Sequence, residues 1–352
     1  MKQPKVTVGL ILYLGQKYLL KSIPSLLNQD YPNVEFHFRD QSPNGEAYDY
    51  IKKHLPEVFE KVKFEQGKNL MHSGGHNTLI REMQGEYYLC ASYDMLYPSN
   101  LVSTLVEFME KPENKKYGSA TCKLMHWDFD EKNPQGGQSN ILDSLGLSLS
   151  HSHHFSEIGQ GEVDHGQYDH LKDIFGASGA LSFSRKQALE DVAYLNKNGQ
   201  KEYYDELLHY KNDVDLAYRL QWAGWPSLLV PSVQVYHDRQ IANKENHFSR
   251  LINILKNRII KTHKNIGNWA KESSFVGHEV VMKKNYQGQP FSFPTRLRTN
   301  WLYFLRHLFI HVFERHLLKQ QKIIKSNSAE ILDKASKMPR KVSPATIEKL
   351  MR

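Results

Sequence analysis

The segment Asn212-Asp213-Val214-Asp215-Leu216-Ala217-Tyr218-Arg219 places two acids, two residues apart, at the head of an apolar-periodic run. Acids are favoured at a helix start by the free backbone N–H groups and the helix dipole. Gly224-Trp225 then breaks the periodicity, Ser227 to Val230 reads as a strand, and His237 ends a second short apolar run. A carboxylate at a helix start and an imidazole at a strand end can converge on one pocket, the arrangement a metal-assisted group transfer needs. Taken alone, the same residues also suit a helix cap and a surface histidine, so the segments that position them decide.

Upstream, Val6 to Leu12 is a continuous apolar run rich in branched residues, as expected of a strand buried on both faces. Tyr18 to Asn28 carries Leu19, Leu20, Ile23, Leu26 and Leu27 at helical spacing. Val34 to Arg39 is a second strand, ending in Asp40-Gln41-Ser42-Pro43-Asn44-Gly45. Strand, helix, strand and polar turn make the βαβ signature of a parallel sheet, whose ligands sit at the strand C-terminal ends. Asp40 stands where such a sheet can address a nucleotide base. The chain has neither a glycine-rich dinucleotide fingerprint nor a phosphate-loop lysine motif, which disfavours NAD or P-loop chemistry. Ser73-Gly74-Gly75-His76-Asn77 reads as a loop ahead of a helix from Thr78 to Met83, its glycines open to a phosphate or sugar. The strand ending at Ala91 leads to Asp94, and Pro98 permits a new helix from Ser99. One strand-end carboxylate suffices to hold an ion that also grips a diphosphate, because Mg2+ takes few protein ligands.

These segments, in this order, resemble the family-2 inverting glycosyltransferases of the GT-A fold, closest to the bacterial rhamnosyltransferase-like branch. The resemblance rests on Ser25-Leu26-Leu27-Asn28-Gln29-Asp30-Tyr31-Pro32-Asn33, Asp40 to Gly45, Gly85-Glu86-Tyr87-Tyr88 with Asp94, and Ile174 to Ala180. It continues through Asn212 to Leu216 with Arg219, Gly224-Trp225, Val230-Pro231-Ser232 and Val235-Tyr236-His237, and so runs from residue 5 to about 240. It implies a doubly wound, mostly parallel α/β sheet with a helical basic C-terminal extension. It implies Asp213 as the base that deprotonates the acceptor hydroxyl, and Asp40, Asn77, Ser178 and Gly179 as donor-binding residues. It implies Asp94 and His237 as ligands of a divalent cation, Mg2+ or Mn2+. Two positions depart from the family pattern: Ser92 replaces the first acid of Asp-x-Asp, and Asn212 replaces the acid before the base, which leaves both surroundings less negative.

The implied reaction moves a sugar, rhamnose among the candidates, from a dTDP- or UDP-sugar to a lipid-linked or polysaccharide acceptor in cell-envelope glycan synthesis. A base on the acceptor side, a cation on the leaving diphosphate and alignment of the reacting atoms would suffice; no covalent nucleophile is required. A sugar-nucleotide pyrophosphorylase shares the architecture but needs a glycine- and arginine-rich phosphate loop, which Leu10 to Lys17 lacks. A degenerate GT-A-like module that binds a membrane surface or polyanion is the non-enzymatic alternative, supported by Ser92 and Asn212.

Charge divides the chain. Residues 1–238 hold 23 Lys+Arg and 31 Asp+Glu, a net −8, and residues 239–352 hold 23 and 7, a net +16. A basic tail on an acidic unit fits an anionic partner such as lipid head groups. The expected organisation is a catalytic part over 1–240 (nucleotide-sugar part to about 120, acceptor part 121–240), a helical basic extension over 241–325 and a loosely ordered tail over 326–352. Within the extension, Phe248 to His263 and Trp301 to Leu318 read as helices. The second resembles an interfacial helix, with Trp301, Leu302, Leu305, Leu308, Phe309, Val312 and Phe313 apolar and too few uncharged residues to span a bilayer. Packing on the catalytic part explains the same pattern equally well. The 2 cysteines form no disulfide framework and the first strand begins almost at once, which suits a cytoplasmic protein at the inner face of the membrane, with no nucleic-acid partner expected. The histidine run 151–154 has no closed zinc spacing.

Overall fold

The computed structural model describes residues 3–130, 136–239 and 268–352. Its centre is a ten-stranded mixed sheet. Four strands form a parallel half: β1 (Val6–Leu12), β2 (Val34–Asp40), β3 (Val62–Gln66) and β4 (Tyr87–Ala91). The short β5 (Met95–Leu96) follows, then β6 (Ser119–Trp127), β7 (Gln138–Ser144), the hairpin β8 (Leu147–Leu149) and β9 (Phe155–Glu157), and β10 (Asp173–Ile174). Next come β11 (Ser182–Arg185), a small ribbon β12 (Tyr194–Leu195) and β13 (Lys201–Glu202), and β14 (Ser227–His237). The order across the sheet is β10-β14-β6-β11-β4-β1-β2-β3. β6 and β14 are parallel, and β11 joins the two parallel parts by running antiparallel to both β4 and β6.

The sheet register brings the chemistry to one edge. Leu12 is level with Asp40, and β4 leaves the sheet beside them toward Asp94. β5 then pairs with the end of β14, Met95 opposite His237. The helices on the parallel half are α1 (Gln16–Leu27), α2 (Glu46–His54), α3 (Val58–Lys61), α4 (Met71–Glu82) and α5 (Leu101–Glu110). They cover strands whose side chains are buried on both faces, with Val6, Val8, Leu10, Phe38 and Leu89 in the largest core cluster. Only later come α6 (Lys186–Val192) and α7 (Asn212–Trp222).

Helix α4 corrects one expectation: Ser73 to Asn77 is not a loop but lies inside it. A Cβ on Gly74 would stand 2.8 Å from Leu70 Cβ, and one on Gly75 would stand 2.9 Å from Ile11 Cδ1. The glycines therefore let the helix approach its own start and β1 closely, a packing demand that overrides their low helix propensity.

The extension comprises α8 (Asn268–Asn285), α9 (Phe293–Phe313), α10 (Gln321–Ser326), α11 (Ser328–Lys337) and α12 (Pro344–Glu348). The helix expected over 248–263 lies outside the described residues. The tail 326–352 is not loosely ordered: Ile331, Met338, Ile347 and Met351 are buried with Tyr218 and Trp222 of α7 in a second core. A buried ionic cluster reinforces that packing. Lys284 of α8 reaches Asp205 at 2.5 Å and Asp215 at 2.6 Å, and Lys334 of α11 reaches Glu202 at 3.0 Å and Asp205 at 2.8 Å. Arg219 bonds Asp215 at 2.9 Å and the carbonyls of Val192 and Tyr203. Three cations thus meet three carboxylates, so each charge is compensated where water cannot reach.

Candidate active site

Asp213 stands in the first turn of α7, whose preceding residue Lys211 adopts a left-handed conformation, φ 65°. Its Oδ1 accepts the N–H of Val214 at 2.8 Å, and its Oδ2 accepts the N–H of Gly179 at 3.1 Å. The carboxylate is therefore held against the 178–180 turn, and a Cβ on Gly179 would lie 3.1 Å from it. The two acids of the motif part company. Asp213 faces the site, while Asp215 faces inward, fully buried, and binds the ionic cluster. Asn212 donates to Ser73 Oγ at 3.1 Å and faces His72 Nδ1 at 2.9 Å, tying the head of α7 to α4.

His237 Nε2 lies 3.6 Å from Asp94 Oδ1, and its Nδ1 bonds Asp143 Oδ2 at 2.8 Å. Burial pushes the His237 imidazole down, but its bonds to Asp143 and Asp94 outweigh that and carry it up to about 9. The pair thus favours positive charge between two carboxylates. Asp143 fixes the ring so that Nε2 points at Asp94, the carboxylate–histidine arrangement that orients a metal ligand. These residues fit a divalent cation that takes two protein ligands and completes its shell with diphosphate oxygens and water. Ser92, in place of an acid, donates its hydroxyl to the Ala180 carbonyl at 3.0 Å.

Sequence reasoning missed three residues here: Asp143, Glu157 and Arg239. Arg239 reaches Glu157 Oε1 at 3.2 Å and Asp143 Oδ1 at 3.6 Å. Glu157 accepts the hydroxyl of Ser178 at 3.3 Å and that of Ser144 at 2.5 Å. Burial first, and then the nearby Asp213, push its carboxyl up, against the pull of Arg239. A chain of alternating charge, Asp94–His237–Asp143–Arg239–Glu157, therefore links the Asp94–His237 pair to the turn that carries Ser178 and Gly179.

Asp40 and Asn77 sit differently from the expectation. Asp40 is 1 % exposed; Oδ1 accepts the Ser42 N–H at 2.7 Å and Oδ2 the Tyr48 N–H at 2.8 Å. It braces the 42–48 turn, and contact with a base requires that turn to open. Asn77 is fully buried, its Oδ1 accepting from the Tyr203 and Tyr204 amides at 2.9 and 2.8 Å and its Nδ2 donating to the Tyr204 carbonyl at 2.8 Å. It clamps segment 203–206 from within and has no group left to face a donor.

Beneath the turn, His72, His76 and Cys90 bring three potential ligand atoms within 4.8 Å of one another. The donor set does not suit an ion. Asn212 has its oxygen engaged by the Asp213 N–H at 3.0 Å, so its nitrogen faces His72 Nδ1. That leaves the His72 proton on Nε2, pointing into the cluster. Burial raises the Cys90 thiol to about 12. The three form a neutral hydrogen-bonded floor, with His76 Nδ1 on Tyr88 Oη at 2.7 Å.

A cavity of about 700 Å3 opens where Lys211, at the head of α7, meets α8, α9 and the β8–β9 hairpin. Its walls carry His154, Lys211, His278 and Arg306.

Comparison with known proteins bears on these features. Residues 7–157 match the family model described as Glycosyl transferase family 2. An uncharacterized glycosyltransferase of Rickettsia felis is 27% identical over 114 residues, 32% of this chain, and the match spans 18% of that relative's length. Among solved structures, GalNAc-T7 with UDP, GalNAc and Mn2+ superposes with a TM-score of 0.49 at 11% identity, over 68% of this chain and 45% of that one. The mannosyltransferase PcManGT of Pyrobaculum calidifontis, in complex with GDP-Man and Mn2+, gives 0.44 at 15% identity, over 96% and 87% of the two chains. The match to the glycosyltransferase family 2 model thus takes in Asp40, Asn77 and Asp94 and ends at Glu157.

Proposed function

We propose that the protein is a metal-dependent inverting glycosyltransferase that moves a sugar from a nucleoside-diphosphate sugar, dTDP- or UDP-linked, to a lipid-linked or polysaccharide acceptor. The observation that carries this reading is the pairing of two devices across one turn. Asp213, fixed by Gly179, is the acceptor-side base; Asp94 and His237, oriented by Asp143, are the leaving-group side. A bound Mg2+ or Mn2+ would neutralise the charge that develops on the departing diphosphate. This chain's residues do the rest: Asp213 takes the proton of the acceptor hydroxyl, and the 178–180 turn, held by Glu157 and Asp213, supports the donor sugar between them.

The exposed face of α9 supports work at a membrane surface. Phe293, Leu297, Trp301, Phe304 and Leu308 recur every three or four residues and are 75%, 58%, 58%, 56% and 50% exposed. Exposed Arg296, Arg298 and Arg315 accompany them. Among the described residues no helix is long and apolar enough to cross a membrane, so the helix would lie in the interface of an anionic leaflet, at the inner face of the cell membrane. Trp301, Leu302, Leu305, Leu308 and Val312 of the expected stripe are exposed, whereas Phe309 and Phe313 are half-covered and pack on each other at 4.9 Å. The decisive experiment incubates the protein with dTDP-, UDP- and GDP-sugars, with Mn2+ or with chelator, and measures release of nucleoside diphosphate. Metal-dependent turnover of one donor is expected. No turnover of any donor, with binding intact, would indicate a degenerate binding module instead.

A further inference from the structure

The cavity beside Lys211 stands apart from the rest of the molecule in its charge. Its basic residues come from separate elements: His154 precedes β9, Lys211 heads α7, His278 lies on α8 and Arg306 on α9. No carboxylate lines it among the described residues. Among the described residues none of the four makes an ion pair; Lys211 lies over the Phe155 ring and Arg306 over the Phe275 ring, each at 5.8 Å. Of the acids around it, Asp213 acts on Lys211 from two residues along the chain, and Glu279 is turned to Tyr303 and to His307 at 3.3 Å. Elsewhere the fold treats enclosed cations differently: Lys123, Arg219, Lys284 and Lys334 each contact a carboxylate within 3 Å.

The concentration of like charge is costly as it stands. Burial lowers Lys211 against the pull of Asp213, and Arg306 adds to the lowering. Burial, Arg306 and Lys211 together push His278 down to about 2. Such a set gains from an anion that enters and restores compensation, because ionised partners make the strongest hydrogen bonds in a low-dielectric site. Ser152 and Ser274 add hydroxyl donors to the walls. The volume is that of a small-molecule site, not of a single ion. Its position is informative too: Lys211 caps the helix that carries Asp213 two residues on, so the cavity adjoins the start of α7.

We propose that this cavity is a subsite for the phosphate or diphosphate group of an anionic acceptor, gripped by Arg306 and Lys211. The proposal rests on the transferase reading, and it makes acceptor choice a matter of charge recognised by the C-terminal extension. The same chemistry can come from a lipid diphosphate or from a phosphorylated soluble glycan.

The test is calorimetric binding to the full chain of inorganic pyrophosphate, a short-chain prenyl diphosphate, a sugar phosphate and UDP with Mn2+. Wild type is expected to bind pyrophosphate without Mn2+. Arg306→Gln should weaken that binding on the order of 10-fold or more, the size of a lost charge-assisted hydrogen bond, and Arg306→Lys should restore part of it. UDP–Mn2+ binding should be unchanged in both variants. Prenyl diphosphate binding tighter than pyrophosphate identifies a lipid source; equal binding, with the sugar phosphate also retained, identifies the soluble one. The proposal is overturned if wild type does not bind pyrophosphate, if Arg306→Gln binds it as wild type does, or if UDP competes for it. Failure of the transferase reading looks different: no donor is turned over while pyrophosphate still binds through Arg306.

Discussion

Asp213→Asn is the sharpest probe of the site, because the structure separates its chemical effect from its structural one. In the proposed role of acceptor-side base, Asp213 should contribute a factor on the order of 100 to 10,000 in transfer rate, the range for general-base removal. The carboxylate also accepts two backbone N–H groups, from Val214 at 2.8 Å and Gly179 at 3.1 Å. An asparagine keeps one oxygen, so its amide nitrogen must face one of those N–H groups. That loses one hydrogen bond, about 1–3 kcal/mol where the donor is left unpaired, and loosens either the helix start or the 178–180 turn. Gly179→Ala isolates the second effect, since its Cβ would crowd Asp213 at 3.1 Å while the carboxylate stays. The assays are transfer rate, donor affinity and thermal midpoint on both variants. Asp213→Asn should lose transfer far beyond any loss in affinity, and Gly179→Ala should change rate and affinity together by a smaller factor. If Asp213→Asn transfers within tenfold of wild type, Asp213 is not the base; if both variants fall equally, its role is only to hold the turn.

Asp94→Ala and His237→Ala should each weaken Mn2+-dependent binding of a nucleoside diphosphate, Asp94 more, and Asp143→Asn should weaken it about 10-fold through the ring it orients; unchanged Mn2+ midpoints in the first two would remove the metal assignment. Replacing Trp301, Phe304 and Leu308 with Ser should reduce the salt-resistant part of liposome binding, the electrostatic part falling with salt; wild type that ignores anionic vesicles ends the membrane reading. Burial holds His153 down at about 4, below its ordinary 6.5, so the unfolded chain takes up the proton first as pH falls. Its contribution to stability is complete above about pH 6.5 and lost toward pH 4, about 3 kcal/mol in all; His153→Phe should flatten that part of the denaturation profile, and an unaltered slope would assign it to other groups. Lys284→Met should destabilise by about 3–5 kcal/mol, because Asp205 and Asp215 lose a shared buried cation; a loss below 1 kcal/mol in chemical denaturation would show that water reaches the cluster.

Much of the sheet was legible because buried parallel strands are written as uninterrupted apolar runs, as Val6 to Leu12 is. Where the local pattern misled, a distant partner had set the conformation. Gly74 and Gly75 look like a loop until β1 and Gln41 are placed against them. The tail past Ser326 looks unstructured because its apolar residues come singly among lysines. Yet Ile331, Met338 and Ile347 each fill a place in the second core, and Lys334, which composition counts as surface charge, is 3 % exposed between two carboxylates. A single-sequence reading weighs a lysine by its usual home and cannot see the acids that meet it.

The same distinction runs through the site. Asp213, Asp94 and His237 each sit at a junction of helix or strand with a turn, so a short motif announces them. Asp143 and Glu157 carry no such mark. Asp143 meets His237 across 94 residues of sequence, and Glu157 meets Arg239 across 82. Yet these unmarked residues determine what the motif residues can do. His237 lies between two carboxylates, and Arg239 between two more, Asp143 being common to both pairs. Removing either cation leaves Asp143 facing another acid with half its compensation, and the disturbance passes to Asp94 in one direction and to Ser178 in the other. The Asp94–His237 pair and the 178–180 turn are therefore one electrostatic unit. Ser92 adds no charge to that unit and instead ties it to the turn, donating its hydroxyl to the Ala180 carbonyl at 3.0 Å.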